Sequence, residues 1–320
     1  MKKILPMDMT PLIRTLPSTA NYLGILNAWK YDTINILINH YIDLFYAKGQ
    51  VNFIQEDYIR CEKFERIPFK FSENNIINNI KKEIDNNHYL LLILNEFSIQ
   101  DEKIHTGYLR YHDWLIYGYD DDLSIFKIAG YYGPNTSLRV YGSADISYID
   151  LKNAALSALI EDHQYKNTDI DNHALWIKET NIEEIINIKR LKKSLKRYIT
   201  SNLITYEKQA FAFNGKNIIK LLILELRFTK KNFIKFDLRN YRCCLENREI
   251  ILIVLKHYSL ELAEQYELNV IKYFNRTFYC LVKYLIKPNQ HIIHNVVSML
   301  SNIQQQEKNI LKELIKLIDG

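Results

Sequence analysis

Apolar residues in the first 150 positions gather in short runs separated by turns, whereas three- and four-residue spacing takes over beyond them. Ile25, Leu26, Trp29, Ile34, Leu37, Ile38, Tyr41 and Phe45 keep largely helical spacing, which predicts one buried helix over 25–45, with Ser18 and Thr19 as caps upstream. Ile76, Ile77, Ile80 and Ile84 predict a polar helix over 74–86. The continuous run 89–94 is short enough for a central strand. Runs 114–119 and 124–129 flank Asp120-Asp121-Asp122 and predict a hairpin; a loop over 130–137 leads to a strand at 138–141. Amphipathic helices are expected over 182–201, 215–228, 247–257, 260–287 and 290–318, with Pro288 dividing the last two.

The pattern therefore predicts an α+β chain of two domains: residues 1–150, a helix followed by an antiparallel sheet, and residues 151–320, wholly helical. A length of 320 residues accommodates two ordinary domains. With 48% hydrophobic and 25% charged residues the composition is that of a globular protein, which excludes global disorder. The net charge of +5 is dispersed. The densest basic run, Lys189 to Arg197, has apolar residues at helical spacing and reads as a solvated helix face rather than a nucleic-acid patch. Four Cys, two of them adjacent at 243 and 244, make no disulfide framework and fit a reducing cytosol. Pro6 and Asp8 interrupt the apolar stretch after Met1-Lys2-Lys3, so no signal peptide is expected, and no apolar run reaches membrane-spanning length. A cytoplasmic protein without membrane or nucleic-acid partners is the expectation.

Metal and nucleotide signatures are missing: the chain has no CxxC, HExxH, GxGxxG or P-loop. His291 and His294 are three apart but lack neighbouring thiolate or carboxylate ligands, and Cys61, despite cationic neighbours, has no nucleophile context. No metal and no cofactor are expected. The informative segment is Tyr111-His112-Asp113-Trp114-Leu115-Ile116-Tyr117-Gly118-Tyr119-Asp120, in which a His opens an apolar strand that ends in an aromatic-Gly-Tyr-Asp turn. Leu94-Asn95-Glu96-Phe97 closes the preceding strand.

These segments resemble the peptidase C39-like branch of the papain-like cysteine enzymes, and within it the butirosin-biosynthesis acyltransferase-like group of natural-product assembly. Arg248 to Leu255, Phe274 to Lys283 and Gln306 to Leu311 extend the resemblance diffusely into the helical half. The resemblance implies a papain-like N-terminal half under a helical C-terminal half. It also implies an activity: moving an acyl group from a carrier-protein phosphopantetheine thioester, through an active-site Cys, to a small amine or diamine to make an amide.

A papain-like nucleophile belongs at the start of the first buried helix, where the helix dipole and an imidazolium hold a thiolate. The matching segment, Asn21 to Trp29, has no Cys. By position Asn27 takes the nucleophile slot, Asn21 the oxyanion-hole amide and Trp29 a substrate-binding place. Asn27 then marks either a natural inactive homologue or a chain whose Cys was replaced by Asn, and the otherwise intact site favours replacement. On the bland alternative, Asn27 is a helix-terminal polar residue and His112 a satisfied strand His, and the chain is a binding or scaffold protein; an inactivated cysteine peptidase is a further option. Antiparallel pairing of 89–94 with 114–119 would bring Asn95 and Glu96 to the His112 end, so either could orient the imidazole. Asn135 and Asp145 are the further choices. The basic run at 189–197 would suit an acidic carrier protein.

Overall fold

A computed structural model describes residues 1–47, 49–54, 58–102, 104–106, 110–133, 139–165, 172–178, 184–201, 205–206, 209–210, 215–232 and 236–319. In chain order the elements are β1 (Lys2–Ile4), α1 (Pro17–Ala28), α2 (Thr33–His40), β2 (Leu44–Ala47), β3 (Gln50–Phe53), α3 (Tyr58–Lys63), β4 (Phe64–Pro68), α4 (Ile76–Asp85), β5 (Tyr89–Asn95), β6 (Tyr111–Asp120), β7 (Ile125–Tyr132) and β8 (Val140–Ser147). They continue with α5 (Tyr148–Tyr165), β9 (His173–Ile177), α6 (Ile188–Thr200), α7 (Asn217–Asn232), α8 (Leu238–Tyr258), α9 (Leu260–Tyr266), α10 (Lys272–Ile286) and α11 (Gln290–Asp319). The chain is α+β.

It divides into two compact units, residues 1–31 with 57–183 and residues 32–56 with 184–320. The expected division at residue 150 follows the change in sequence pattern. The compact units instead place α5 and β9 with the sheet, and α2, β2 and β3 with the C-terminal helices.

In the first unit an antiparallel sheet has the order β4-β9-β5-β6-β7-β8. β1 pairs with the far end of β6, from Lys2 opposite Asp120 to Ile4 opposite Gly118. Gly118 is needed there: a Cβ would lie 2.8 Å from the Lys3 carbonyl oxygen. The hairpin of β6 and β7 turns at 121–124, with Asp120 Oδ1 accepting from the Asp122 N–H at 3.1 Å and Ser124 at φ 54. β5 and β6 pair as the sequence predicts, Leu94 opposite His112 and Asn95 opposite Tyr111. The strands carry the core, with Leu90, Leu92, Leu94, Trp114, Leu115 and Ile116 all fully buried.

Several expectations need correction. The long helix predicted over 25–45 is two helices. α1 stops because Lys30 adopts the left-handed region (φ 62), letting its N–H reach the Asn27 carbonyl at 2.9 Å and the Tyr31 N–H reach that of Leu26 at 3.0 Å. Asp32 then caps α2, its Oδ1 accepting from the Ile34 N–H at 3.0 Å. The region beyond 150 is not wholly helical either: His173–Ile177 pairs with both β4 and β5, and Thr205–Tyr206 pairs with Gln209–Ala210.

Among the described residues the second unit is helical apart from the pairing of Thr205–Tyr206 with Gln209–Ala210 and the β2–β3 hairpin. Asn240 and Asn247 of α8 tie the hairpin segment down: Asn240 Oδ1 accepts from the Val51 N–H at 2.8 Å, and Asn247 Nδ2 donates to the Ile42 carbonyl at 2.8 Å. The span expected as one helix over 260–287 is α9 and α10 joined by a π-helical turn, Glu267–Ile271. At its centre Arg248 donates to Glu307 at 2.7 Å, both fully buried, while Tyr266 donates to the other Glu307 oxygen at 2.7 Å. Among the described residues no helix is long and apolar enough to cross a membrane.

Candidate functional site

His112 stands at the second position of β6, half-buried. Its Nδ1 lies 3.1 Å from Asp113 Oδ1 and 3.2 Å from the Asp113 carbonyl oxygen. A carboxylate only accepts, so Nδ1 carries the proton and Nε2 is left as the basic nitrogen. Burial acts to lower the imidazole pKa, but the hydrogen bond and charge of Asp113, helped by the charge of Glu96, outweigh it and hold the pKa above its ordinary value. The Asp113 carboxyl shifts the other way. Burial would raise it, yet the His112 contact keeps it below the usual carboxylate range. The orienting carboxylate is therefore the adjacent residue, which strand alternation argues against because neighbours in a strand face opposite sides.

The residues expected in that role are engaged elsewhere. Glu96 is fully buried and gripped by Arg139, with Nη1 to Oε1 at 2.9 Å and Nη2 to Oε2 at 2.7 Å, while Arg110 Nε lies 3.5 Å from Oε2. Glu96 acts on His112 through its charge alone. Asn95 donates to Ser157 Oγ at 2.8 Å and uses its Oδ1 to cap the Glu96–Ser98 turn, accepting from the Phe97 N–H at 3.2 Å. Asp145 pairs with Lys127 across β7 and β8, at 2.7 Å. Asn135 lies outside the described residues.

Helix α1 packs against β6 and β7. Pro17 opens it, and its N-cap, Leu16, offers no side-chain acceptor to the first-turn N–H groups. Asn21, buried in the second turn, accepts at Oδ1 from the Tyr141 hydroxyl at 2.7 Å. Its Nδ2 is buried and finds no acceptor among the described residues, nor does the Thr19 hydroxyl. Tyr141 stands opposite Tyr131 in the sheet, ring centroids 6.0 Å apart, and Tyr131 is 6.4 Å from His112. His112, Tyr131, Tyr141 and Asn21 thus form one contiguous row from strand to helix. Burial, together with the charges of Tyr131, Asp8 and other neighbours, pushes the Tyr141 hydroxyl well above its ordinary pKa, so it remains a donor.

Asn27 does not share this row, which corrects its expected position early in the helix. It lies in the last turn of α1. Six residues beyond Asn21 means about 9 Å further along the axis and a turn of about 240°. Its Nδ2 donates to Asp8 Oδ2 at 2.8 Å. Burial would raise the Asp8 carboxyl, but hydrogen bonds from Asn27 and Thr10 bring it below its ordinary value. Gly24 lets this segment approach, since a Cβ there would meet the Asp8 carbonyl oxygen at 2.5 Å. Trp29 is at the same end, its Nε1 donating to the Tyr89 hydroxyl at 2.9 Å while nearly half its surface is exposed.

Sequence reasoning thus missed Asp113, Tyr131 and Tyr141, the last two because many Tyr in an Ile- and Asn-rich chain blur any single one. The first turn of α1 contains Pro17, Ser18, Thr19 and Ala20 and no thiol. Cys61 is exposed on α3, and Cys243, Cys244 and Cys280 belong to the second unit. The row holds an imidazole oriented by Asp113 at one end and, at the other, a buried amide N–H with no acceptor among the described residues, with Tyr131 and Tyr141 between them. Among the described residues no three His, Cys, Asp or Glu side chains are grouped to hold a metal. Comparison with protein-family models and with curated proteins finds no match.

Proposed function

We propose that the first unit is a papain-like acyl-transfer domain that joins a carrier-borne acyl group to a small amine directly, with no covalent acyl-enzyme. The observation that carries this reading is the row itself: His112, oriented by Asp113, is linked through Tyr131 and Tyr141 to Asn21, on a helix whose first turn has no thiol. Asn27, at the other end of α1, is replaced in this reading by the substrate amine as nucleophile.

The chemistry balances without a cofactor. The neutral amine attacks the thioester carbonyl carbon, forming the C–N bond, while His112 Nε2 takes the amine proton. Asn21 Nδ2 donates to the oxyanion that develops on the carbonyl oxygen. The oxyanion collapses, the C–S bond breaks, and the imidazolium returns its proton to the departing phosphopantetheine sulfur. Products are an amide and a thiol. The resemblance of the His112 strand to the butirosin-biosynthesis acyltransferase-like group makes a small diamine the acceptor to try first.

The test is to incubate the full chain with an acylated carrier protein and a diamine. Amide formation is expected, falling about 10²- to 10⁴-fold in His112→Ala. A scaffold is the second reading, favoured by the same missing thiol. It takes over if the carrier binds equally well to the unaltered chain and to His112→Ala while no amide forms.

A further inference from the structure

α6 in the second unit turns Leu191, Leu195, Tyr198 and Ile199 inward. On its other side Lys189, Lys192, Lys193, Lys196 and Arg197, spaced i, i+3, i+4, i+7 and i+8, line a groove of about 430 Å³ together with Thr200. Carboxylates pair with three of these cations. Asp319, at the end of α11, bridges Lys192 and Lys196, the latter at 3.8 Å, and Asp43 pairs with Arg197. Lys189 and Lys193 are exposed and have no ion pair among the described residues. Two carboxylates thus pair with three of the five cations, and one of them, Asp319, belongs to another helix.

We propose that this groove docks an acidic helix of a partner protein, with the Asp319 carboxylate occupying the place that partner carboxylates take. The partner follows from the acyl-transfer reading: a carrier protein of net negative charge. Charge complementarity favours a helical acidic protein over a phosphodiester chain, because the cations repeat at helical spacing along about 12 Å and already accept single carboxylates. Asp319 competes with the partner, so binding exchanges one carboxylate for several.

The experiment measures binding of a fluorescently labelled, acylated acyl carrier protein to the full chain at low and physiological salt. Lys189→Glu/Lys193→Glu is expected to weaken binding at least about tenfold, and the affinity of the unaltered chain should fall as salt rises. Asp319→Asn is expected to tighten it about two- to threefold. Circular dichroism verifies folding, and Lys189→Ala/Lys193→Ala, a milder change, should give a smaller loss in the same direction. Affinity unchanged by charge reversal overturns the surface, even where amide forms. Carrier binding that is lost on charge reversal while no amide forms upholds the surface and removes the transfer reading. A labelled single-stranded DNA that binds through the same lysines more tightly than the carrier also overturns it.

Discussion

Glu307→Leu tests the buried polar centre of the second unit. Glu307 neutralises Arg248, fully enclosed beneath Phe274 with its guanidinium carbon 4.5 Å from that ring, and also accepts from Tyr266 at 2.7 Å and Tyr198 at 3.2 Å. Removing one partner of a buried pair leaves the other charge uncompensated, at a cost of about 3–5 kcal/mol. The two hydroxyls lose an acceptor; Tyr266 has no other partner among the described residues, and an orphaned buried group costs about 1–3 kcal/mol. The sum, about 4–8 kcal/mol, is comparable with the whole stability of a domain. The second unit of Glu307→Leu should therefore be unfolded or nearly so, read by urea titration and by loss of amide-exchange protection in α8 and α11. Arg248→Met/Glu307→Leu removes both charges, leaves only the hydroxyl cost, and should be more stable than Glu307→Leu alone. A double variant less stable than the single would refute the argument, as would a Glu307→Leu cost below about 1 kcal/mol.

Other outcomes follow from the first unit. Because the His112 pKa is raised, the neutral imidazole predominates only above its ordinary 6.5, so the rate of amide formation should climb on the alkaline side of that value. The same pair contributes stability that is full between the ordinary values of 3.8 for Asp113 and 6.5 for His112, fades as pH rises through the raised His112 pKa, and is lost as pH falls through the lowered Asp113 pKa. Asp113→Asn should move the rate limb to lower pH, as a pH–rate profile would show; an unmoved limb would remove Asp113 from the site. Tyr141→Phe frees the Asn21 amide to rotate and should lower kcat about tenfold with KM little changed, whereas a loss confined to KM would contradict the orienting role. Gly130→Ala should cost about 1–3 kcal/mol, since its Cβ would lie 2.6 Å from Trp114 Cε3, and a thermal melt no different from that of the unaltered chain would deny that close packing. Asn27→Cys should gain neither an acyl adduct in intact mass nor a thiol more reactive than Cys61, because residue 27 lies at the wrong end of α1.

Much of this arrangement is legible in the residues. The β5–β6 register follows from two apolar runs of strand length, and it puts Asn95 beside the His112 end as expected. The helices after residue 184 follow from apolar spacing, and Pro288 does separate α10 from α11. What escapes the pattern depends on single residues in unusual roles. Lys30 takes a left-handed conformation that favours Gly, so the stop of α1 is invisible and the helix start, hence the site, is misplaced by several residues. β9 has only five residues, His173 to Ile177, and joins the sheet by pairing with strands more than 80 positions earlier. The orienting role of Asp113 depends on side-chain rotation at a strand entrance, which spacing does not encode.

The transfer proposed runs directly from thioester to amine without an acyl-enzyme. Its most direct test is intact-mass spectrometry of the unaltered chain, sampled through a time course with acylated carrier protein and diamine. Under direct transfer, amide accumulates while the chain keeps its unmodified mass at every time point. An acyl adduct on the chain that forms before the amide and decays as the amide appears would contradict it.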